Sequence, residues 1–187
     1  FFFTKNSLGT YHGVSNTTNS SDVGAGQQAG LYSRWDSTTY QQNNNFPGLI
    51  ITAAETNFSV AEAQQRWGDP VAASNAYNKG ITESINFYYT INSSSSFGGT
   101  KQPMLTATAI MAFLANPAIA LGPDPKENLK RIGTQKWVNF NVIQANQAWC
   151  EYRRTKYPVL YFPTDNASLM AHQPPTRLLY PASETSL

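Results

Sequence analysis

The sequence predicts an all-α fold made of paired helices joined by long irregular loops. Apolar residues recur at helical spacing from about residue 49 onward. A Gly68-Asp69-Pro70 junction is typical of one helix ending and the next beginning. A further cap at Asp124-Pro125 opens another apolar series. We therefore expect almost no strand, and helices over residues 49–66, 70–89, 103–115 and 125–155.

The first two expected helices form a pair. In the first, one face is formed by Ile50, Ala54, Phe58, Ala61 and Gln65. Gly68 ends it, since glycine adopts the backbone angles found just past a helix end. Asp69 then caps the second helix, whose apolar face has Gly80 in its interior. An interior glycine costs about 1 kcal/mol relative to alanine, so Gly80 indicates close packing against a neighbouring helix.

The other two helices follow a flexible loop over residues 92–102. The third, about residues 103–114, is nearly all apolar, so we expect it to be well buried. The fourth begins with Asp124, Pro125 and Glu127 in a capping arrangement. Its apolar positions continue as far as Tyr152, which predicts one long helix that ends before Pro158.

Two regions follow from this pattern. Residues 1–48 are rich in Gly, Ser, Asn and Thr and predict an irregular, loop-rich lead-in with at most a short strand. We expect this lead-in to continue a missing upstream part, because the chain does not begin with Met. Residues 49–187 form the helical region, which includes an extended, proline-rich tail from residue 158.

The amino-acid composition indicates which classes of ligand are favoured. Only 13% of residues are charged and the formal net charge is +2, so no strong field favours nucleic acid. Asn, Gln, Ser and Thr supply most of the polarity, which suits neutral ligands such as sugars but is also common in secreted proteins. We expect no cofactor and no metal site, since the single Cys150 and two distant histidines give no ligand cluster. Cys150 is expected to be a buried thiol.

Charged helical residues favour structural roles. Residues 126–156 contain seven basic and two acidic side chains. We expect Arg153 or Arg154 to pair with Glu151 or Glu62, or to cover helix-end carbonyls. Trp137 and Trp149 are expected in the core.

A helical repeat is visible between residues 57 and 81. Ala61 and Ala63, the Gly68-Asp69 turn, and then Ala73, Tyr77 and Gly80 follow the order of small and aromatic residues of a tetratricopeptide unit. Small residues let two helices approach closely, and the aromatic ring fills the next gap. Such units serve as interaction scaffolds more often than as active sites.

Four motifs in order resemble the SusD/RagB family. They are Ala61-Glu62-Ala63 with Trp67-Gly68 and Ala76-Tyr77-Asn78-Lys79-Gly80-Ile81; Ile132-Gly133-Thr134-Gln135-Lys136-Trp137; the stretch from Gln147 to Pro158 containing Trp149, Glu151, Arg153 and Arg154; and the closing Pro175-to-Glu184 segment. The resemblance covers about residues 49–184. It departs from the family pattern at Cys150 and Lys156, and no motif is evident in residues 1–45.

The resemblance implies a fold and a role. Members of the family are all-α proteins with a tetratricopeptide-like superhelix, of which this chain would be a part. They are lipid-anchored at the cell surface on the outer membrane of Bacteroidota. There they bind oligosaccharides, or peptides in some branches, for a SusC-like TonB-dependent transporter. The resemblance therefore implies a glycan-binding subunit that is not an enzyme, with membrane attachment only through an upstream anchor.

The candidate ligand residues are Tyr32, Arg34, Trp35 and Tyr40, which lie with Asp36 in the polar lead-in. Aromatic rings in a loop have no helix packing to explain them, and they present flat faces on which sugar C–H groups stack. Local packing of the loop is the alternative. We expect Trp35 to lie outside the core.

Two other functions compete. A tetratricopeptide adaptor for protein tails would show further repeats. A glycoside hydrolase needs two placed carboxylates, and Glu55 and Glu62 share a helix face. No cleft is predicted around them, however, and surface carboxylates of this kind are common.

Overall fold

The computed structural model describes residues 2–15 and 18–160. In these residues a two-stranded antiparallel ribbon and a π-helical turn at Ser37–Gln41 accompany six α-helices. The strands are β1 (Phe3–Thr4) and β2 (Arg34–Trp35), and the helices are α1 (Ser20–Gln28), α2 (Ala53–Trp67), α3 (Pro70–Ser93), α4 (Ala107–Leu114), α5 (Pro125–Phe140) and α6 (Ala145–Thr155). The all-α prediction is confirmed.

Helices α2 and α3 form a hairpin, as the caps predicted. The Thr52 hydroxyl accepts the N–H of Glu55 at 3.1 Å, so α2 begins a few residues later than expected. The two Asp69 carboxylate oxygens accept the N–H groups of Val71 and Ala72, each at 3.1 Å. Because Pro70 has no N–H to leave unpaired, α3 starts directly after the cap.

The core lies between this hairpin and α5. Phe58 on α2 and Tyr77 on α3 are fully buried, and Ile132 from α5 completes the cluster. The Tyr77 hydroxyl donates a 2.9 Å hydrogen bond to the carbonyl of Ile119, which attaches the segment between α4 and α5. Gly80 faces Phe58, where a Cβ would lie 2.7 Å from two ring atoms. The close packing expected at Gly80 is therefore confirmed.

The prediction of a single long helix over residues 125–155 is wrong. Helix α5 ends at Phe140, Asn141 has a positive φ of 49°, and α6 begins at Ala145. In one straight helix, residues 136 and 151 would be about 22 Å apart along the axis. The fold instead brings Lys136 Nζ to 3.2 Å from Glu151 Oε2, because the turn lets α6 pack back against α5.

Three burial expectations are also wrong. Helix α4 has no buried residue, and Met111 and Phe113 are 61% and 41% exposed, since no described segment packs over its outer face. Trp137 is 40% exposed, whereas Trp149 is half-buried against Tyr152. Cys150 is exposed on α6.

The lead-in has more regular structure than its composition suggested. Asn19 caps α1 by accepting the N–H of Asp22 at 2.9 Å, although the α1 sequence has little apolar periodicity. The ribbon pairs Phe3 with Trp35 and Thr4 with Arg34. The closing motif and most of the proline-rich tail lie outside the described residues.

A buried carboxylate connects α2, α5 and α6. Arg154 donates to the two Glu62 oxygens at 2.6 and 2.5 Å, and Arg66 donates to Glu62 at 2.9 Å. Lys136, only 4% exposed, lies 3.7 Å from Glu62 and 3.2 Å from Glu151. Arg154 also contacts Glu151 at 2.6 Å, so it pairs with both expected partners. Burial tends to raise the pKa of Glu62, but the hydrogen bonds from Arg154 and Arg66 outweigh it and lower that pKa to about 2.

We expect Glu62→Gln to lower the free energy of unfolding by about 2–3 kcal/mol, because Lys136 would remain buried beside a neutral amide. Urea denaturation at pH 7 measures this. The matched control is Glu127→Gln, whose partners Lys130 and Arg131 form helix-surface pairs and whose loss should change stability by less than about 1 kcal/mol. Equal effects of the two substitutions would contradict the structural role of the network.

The stability that ionised Glu62 contributes to the fold depends on pH. Its pKa in the folded chain, about 2, lies below the ordinary glutamate value of 4.5. The contribution is therefore complete above pH 4.5 and is lost as the pH falls through 2. Unfolding free energies of wild type and Glu62→Gln, compared across this range, should converge toward low pH. A constant difference between them would be inconsistent with a charged Glu62.

We expect Gly80→Ala to destabilise the chain by about 1–3 kcal/mol, because the added methyl group meets the Phe58 ring inside a packed core. A methyl group added to Gly24 on α1 would meet no described atom within 4 Å, so Gly24→Ala is the control. It should be neutral or stabilising by up to about 1 kcal/mol. Thermal unfolding of both variants, followed by circular dichroism, makes the comparison.

Candidate functional site

The lead-in folds across the carboxy-terminal half of α3 through aromatic contacts. The Phe2 ring meets Tyr88 edge-on, with centroids 4.6 Å apart. Phe3 packs on Trp35 at 4.4 Å, and Trp35 meets Tyr40 edge-on at 5.6 Å. Since Tyr88 is buried in α3, these rings hold the β1–β2 ribbon against the helical hairpin.

Asp36 is the polar anchor beneath the ribbon. Its Oδ1 accepts the N–H of Thr39 at 2.7 Å and the Thr39 hydroxyl at 2.8 Å, which caps the π-helical turn. The amide of Asn92, from the end of α3, donates to the same oxygen at 3.4 Å and to the Thr39 hydroxyl at 3.0 Å. Asp36 is 9% exposed, so these donors fix the position of a largely buried carboxylate.

Asn92 also fixes the next loop. Its Oδ1 accepts the N–H of Gln102 at 2.7 Å, while its amide nitrogen faces Asp36 and Thr39. One fully buried side chain therefore connects the floor of the site to the segment between α3 and α4. This connection places Gln102 near Asp36 although 66 positions separate them in the chain.

A cavity of about 440 Å³ opens at this junction. That volume lies within the range of about 300–1,000 Å³ typical of small-molecule sites. It combines aromatic rings, one carboxylate, one ammonium group and one amide, from Phe3, Thr4, Lys5, Tyr11, Asp36, Tyr89 and Gln102. We call this cavity the ribbon pocket. Flat rings beside hydrogen-bonding groups are the surfaces to which a sugar presents its C–H faces and hydroxyls.

Burial disfavours ionisation of two tyrosines near the pocket, Tyr89 and Tyr40. Burial, followed by the neighbouring Tyr11, raises the pKa of Tyr89. The pKa of Tyr40 is raised first by burial and then by Tyr88 and Asp36, and Asn141 donates a 2.8 Å hydrogen bond to its hydroxyl. Neutral hydroxyls both donate and accept hydrogen bonds, as recognition of a polyol requires.

The four residues expected to bind ligand do not form one cluster. Trp35 and Tyr40 are together, and Trp35 supports the Phe3 ring of the ribbon pocket. Arg34 is the neighbour of Trp35 in β2, so its side chain points to the opposite face, where it donates to the carbonyl of Gln27 at 3.3 Å. Tyr32 is separate again, stacked on His12 with centroids 5.8 Å apart and packed against Gly26 of α1.

Sequence reasoning missed most of the residues that line the pocket. They come from residues 3–11, from Asp36, and from residues 89–102. No periodicity or motif relates these segments. The one available signal was the acidic Asp36 beside the aromatic residues of the lead-in.

Other chemistry receives no support in the described parts of the chain. Among residues 2–15 and 18–160, no group of three or more His, Cys, Asp or Glu side chains is placed to hold a metal ion. No helix in those ranges is long and apolar enough to cross a bilayer. Glu62 does not suit a general acid, which requires a raised pKa, since its pKa is lowered to about 2.

A family model for SusD-like proteins, described as starch-binding and associating with the outer membrane, matches residues 1–181. This chain belongs to the SusD-like family. The resemblance seen in the motifs is confirmed. The match also reaches residue 1, so the lead-in, in which no motif was evident, is part of the family pattern.

Solved structures agree with this SusD-like assignment. A SusD homologue from Bacteroides fragilis NCTC 9343 is 27% identical, with a TM-score of 0.79 over 95% of this chain and 38% of its own. A Bacteroides vulgatus ATCC 8482 outer-membrane protein assigned to nutrient binding is 24% identical, with a TM-score of 0.76 over 96% of this chain and 37% of its own. A Bacteroidetes SusD-like protein is 21% identical, with a TM-score of 0.70 over 95% and 35%. The latter two show the fold alone.

The SusD-like chain therefore spans less than two-fifths of the length of these solved relatives. Among curated proteins, none matches its sequence.

Proposed function

We propose that this chain is part of a cell-surface oligosaccharide-binding subunit of a SusC/SusD-type uptake complex. In that role it binds a glycan at the outer membrane and transfers it to a SusC-like TonB-dependent transporter. An upstream lipid anchor would attach the full protein to the membrane. The observation that supports binding most directly is the ribbon pocket, since its aromatic rings lie beside a fixed carboxylate and an amide side chain.

The pocket suits a sugar in three ways. Tyr11, Tyr89 and Phe3 provide ring faces for the apolar side of a pyranose. Thr39 and Asn92 hold the Asp36 carboxylate through its Oδ1, and the carboxylate is an acceptor for ligand hydroxyls. Asn92 holds the Gln102 backbone in place, so its side chain meets a ligand at the rim without large reorganisation.

Of the four residues expected to bind ligand, two support the wall of the ribbon pocket and two lie outside it. Trp35 and Tyr40 support the pocket wall through Phe3. Arg34 is exposed and lies opposite Thr4 in the ribbon, so we propose that Arg34 and Tyr32 contact the outer units of a longer oligosaccharide.

Binding without catalysis fits the same residues. Glycoside hydrolases use two carboxyl groups across the scissile bond. In the described lining of the ribbon pocket, Asp36 is the one carboxyl group. We therefore propose a binding protein and not an enzyme.

A peptide ligand is the second candidate. The pocket contains both Lys5 and Asp36, and opposite charges of this kind complement the two termini of a short peptide. The aromatic faces favour the glycan, which has an apolar side that a dipeptide backbone lacks.

Tyr11→Ala should weaken oligosaccharide binding by about 1–3 kcal/mol, an estimate taken from aromatic stacking on nucleic-acid bases. Tyr11 is 63% exposed, so thermal stability should change little. Trp35→Ala should weaken binding as well but also lower stability, because Trp35 contacts Phe3 and Tyr40. Trp35 is half-buried and does not belong to the hydrophobic core cluster of the described residues, although it packs on Phe3 and Tyr40.

Isothermal titration of the full-length protein against a panel of plant and host oligosaccharides measures these effects. Trp67→Ala is the control, since Trp67 is an 84% exposed ring on α2 and does not line the pocket. If Tyr11→Ala and Trp67→Ala bind a confirmed glycan equally well, the ribbon pocket is not its site. Binding of dipeptides by the wild type in place of every glycan would favour the second candidate.

A further inference from the structure

We propose that Lys5 makes the ribbon pocket selective for acidic oligosaccharides, those that contain uronic acid units. This inference rests on the proposed glycan-binding function and adds the substrate class. It depends on three features of the pocket: an ammonium group with no ion pair among the described residues, a carboxylate held by other donors, and aromatic rings in the same lining.

Lys5 differs from the cations of the helical network. Arg66, Lys136 and Arg154 each form ion pairs with Glu62 or Glu151. Lys5 forms no ion pair with any carboxylate in residues 2–15 and 18–160. Its Nζ lies 5.9 Å from the centroid of the Tyr11 ring, a cation–π contact that keeps the ammonium group at the pocket wall.

Asp36 forms no ion pair with Lys5, although both line the same cavity. Thr39 and Asn92 hold the Asp36 carboxylate through Oδ1, and the side chain is almost fully buried. Moving it toward Lys5 would break the cap of the π-helical turn. The pocket thus keeps a fixed acceptor and a separate cation.

A uronic acid unit matches this arrangement of groups. Its ring has an apolar face for Tyr11 and Tyr89, hydroxyls that donate to Asp36, and a carboxylate that accepts a charge-assisted hydrogen bond from Lys5. A neutral hexose offers the same ring and hydroxyls but places an uncharged hydroxymethyl group at that position. The difference in binding affinity between the two sugars therefore measures the contribution of Lys5.

The test compares trimers of galacturonate and of glucuronate with their carboxyl-reduced counterparts, by isothermal titration of the full-length protein. We expect wild type to bind an acidic trimer about three- to tenfold more tightly than its neutral counterpart, the range for a partly exposed charge pair. Because Lys5 is exposed, this preference should shrink as salt is raised.

Lys5→Gln should abolish the preference for the acidic trimer, while Lys5→Arg should retain it. Lys79→Gln removes an exposed lysine of α3 that does not line the pocket, and it should behave like wild type. Equal affinity of wild type for acidic and neutral trimers overturns the proposal. The proposal is also overturned if Lys5→Gln keeps the preference for the acidic trimer.

These outcomes are separate from failure of the proposed function. If neutral trimers bind and Tyr11→Ala weakens them, the ribbon pocket is a glycan site even where selectivity for acid is overturned. If no oligosaccharide binds and dipeptides do, both proposals are overturned.

Discussion

Glu62 places a negative charge among three helices, and the position of α5 and α6 on the hairpin depends on it. Arg154 from α6 and Lys136 from α5 approach this carboxylate from different sides, at 2.5 and 3.7 Å. Lys136 is 4% exposed, and a buried charge without its partner is costly. The carboxylate thus determines which faces of α5 and α6 turn inward. Hydrophobic contacts of α5 with the hairpin leave the direction of α6 open.

The turn between α5 and α6 serves the same network. Asn141 adopts a positive φ, which a short polar side chain tolerates better than most, and Gln144 becomes buried against the start of α2. Its amide faces the Ile50 carbonyl and the Glu55 carboxylate, each at 3.4 Å. The chain therefore reverses where the Gln144 amide donates to groups near the amino-terminal end of α2, and the reversal brings Lys136 and Glu151 together.

The α2–α3 hairpin could be predicted from the sequence because the residues that determine it lie within a few positions of the contacts they make. The Asp69-Pro70 cap and the small Gly80 describe contacts that their own helices make. The break at Asn141 was missed because apolar residues continue at helical spacing through Val142, and its cause lies in partners far along the chain. The ribbon pocket was missed for the same reason. Trp35 and Tyr40 were located in the right segment, but the cavity beside them needs Lys5, Tyr11 and Gln102 from elsewhere.

Asn92 makes the two sides of the ribbon pocket mechanically dependent on each other. Its amide group is shared, with the nitrogen serving the Asp36 turn and the oxygen serving Gln102. If either segment detaches, Asn92 loses a buried hydrogen-bond partner, so the opening of the two segments should be coupled through this side chain. A molecule that contacts either wall would then slow amide hydrogen exchange in both. Occupancy of the cavity would in this way affect the segment of residues 94–106 that leads to α4.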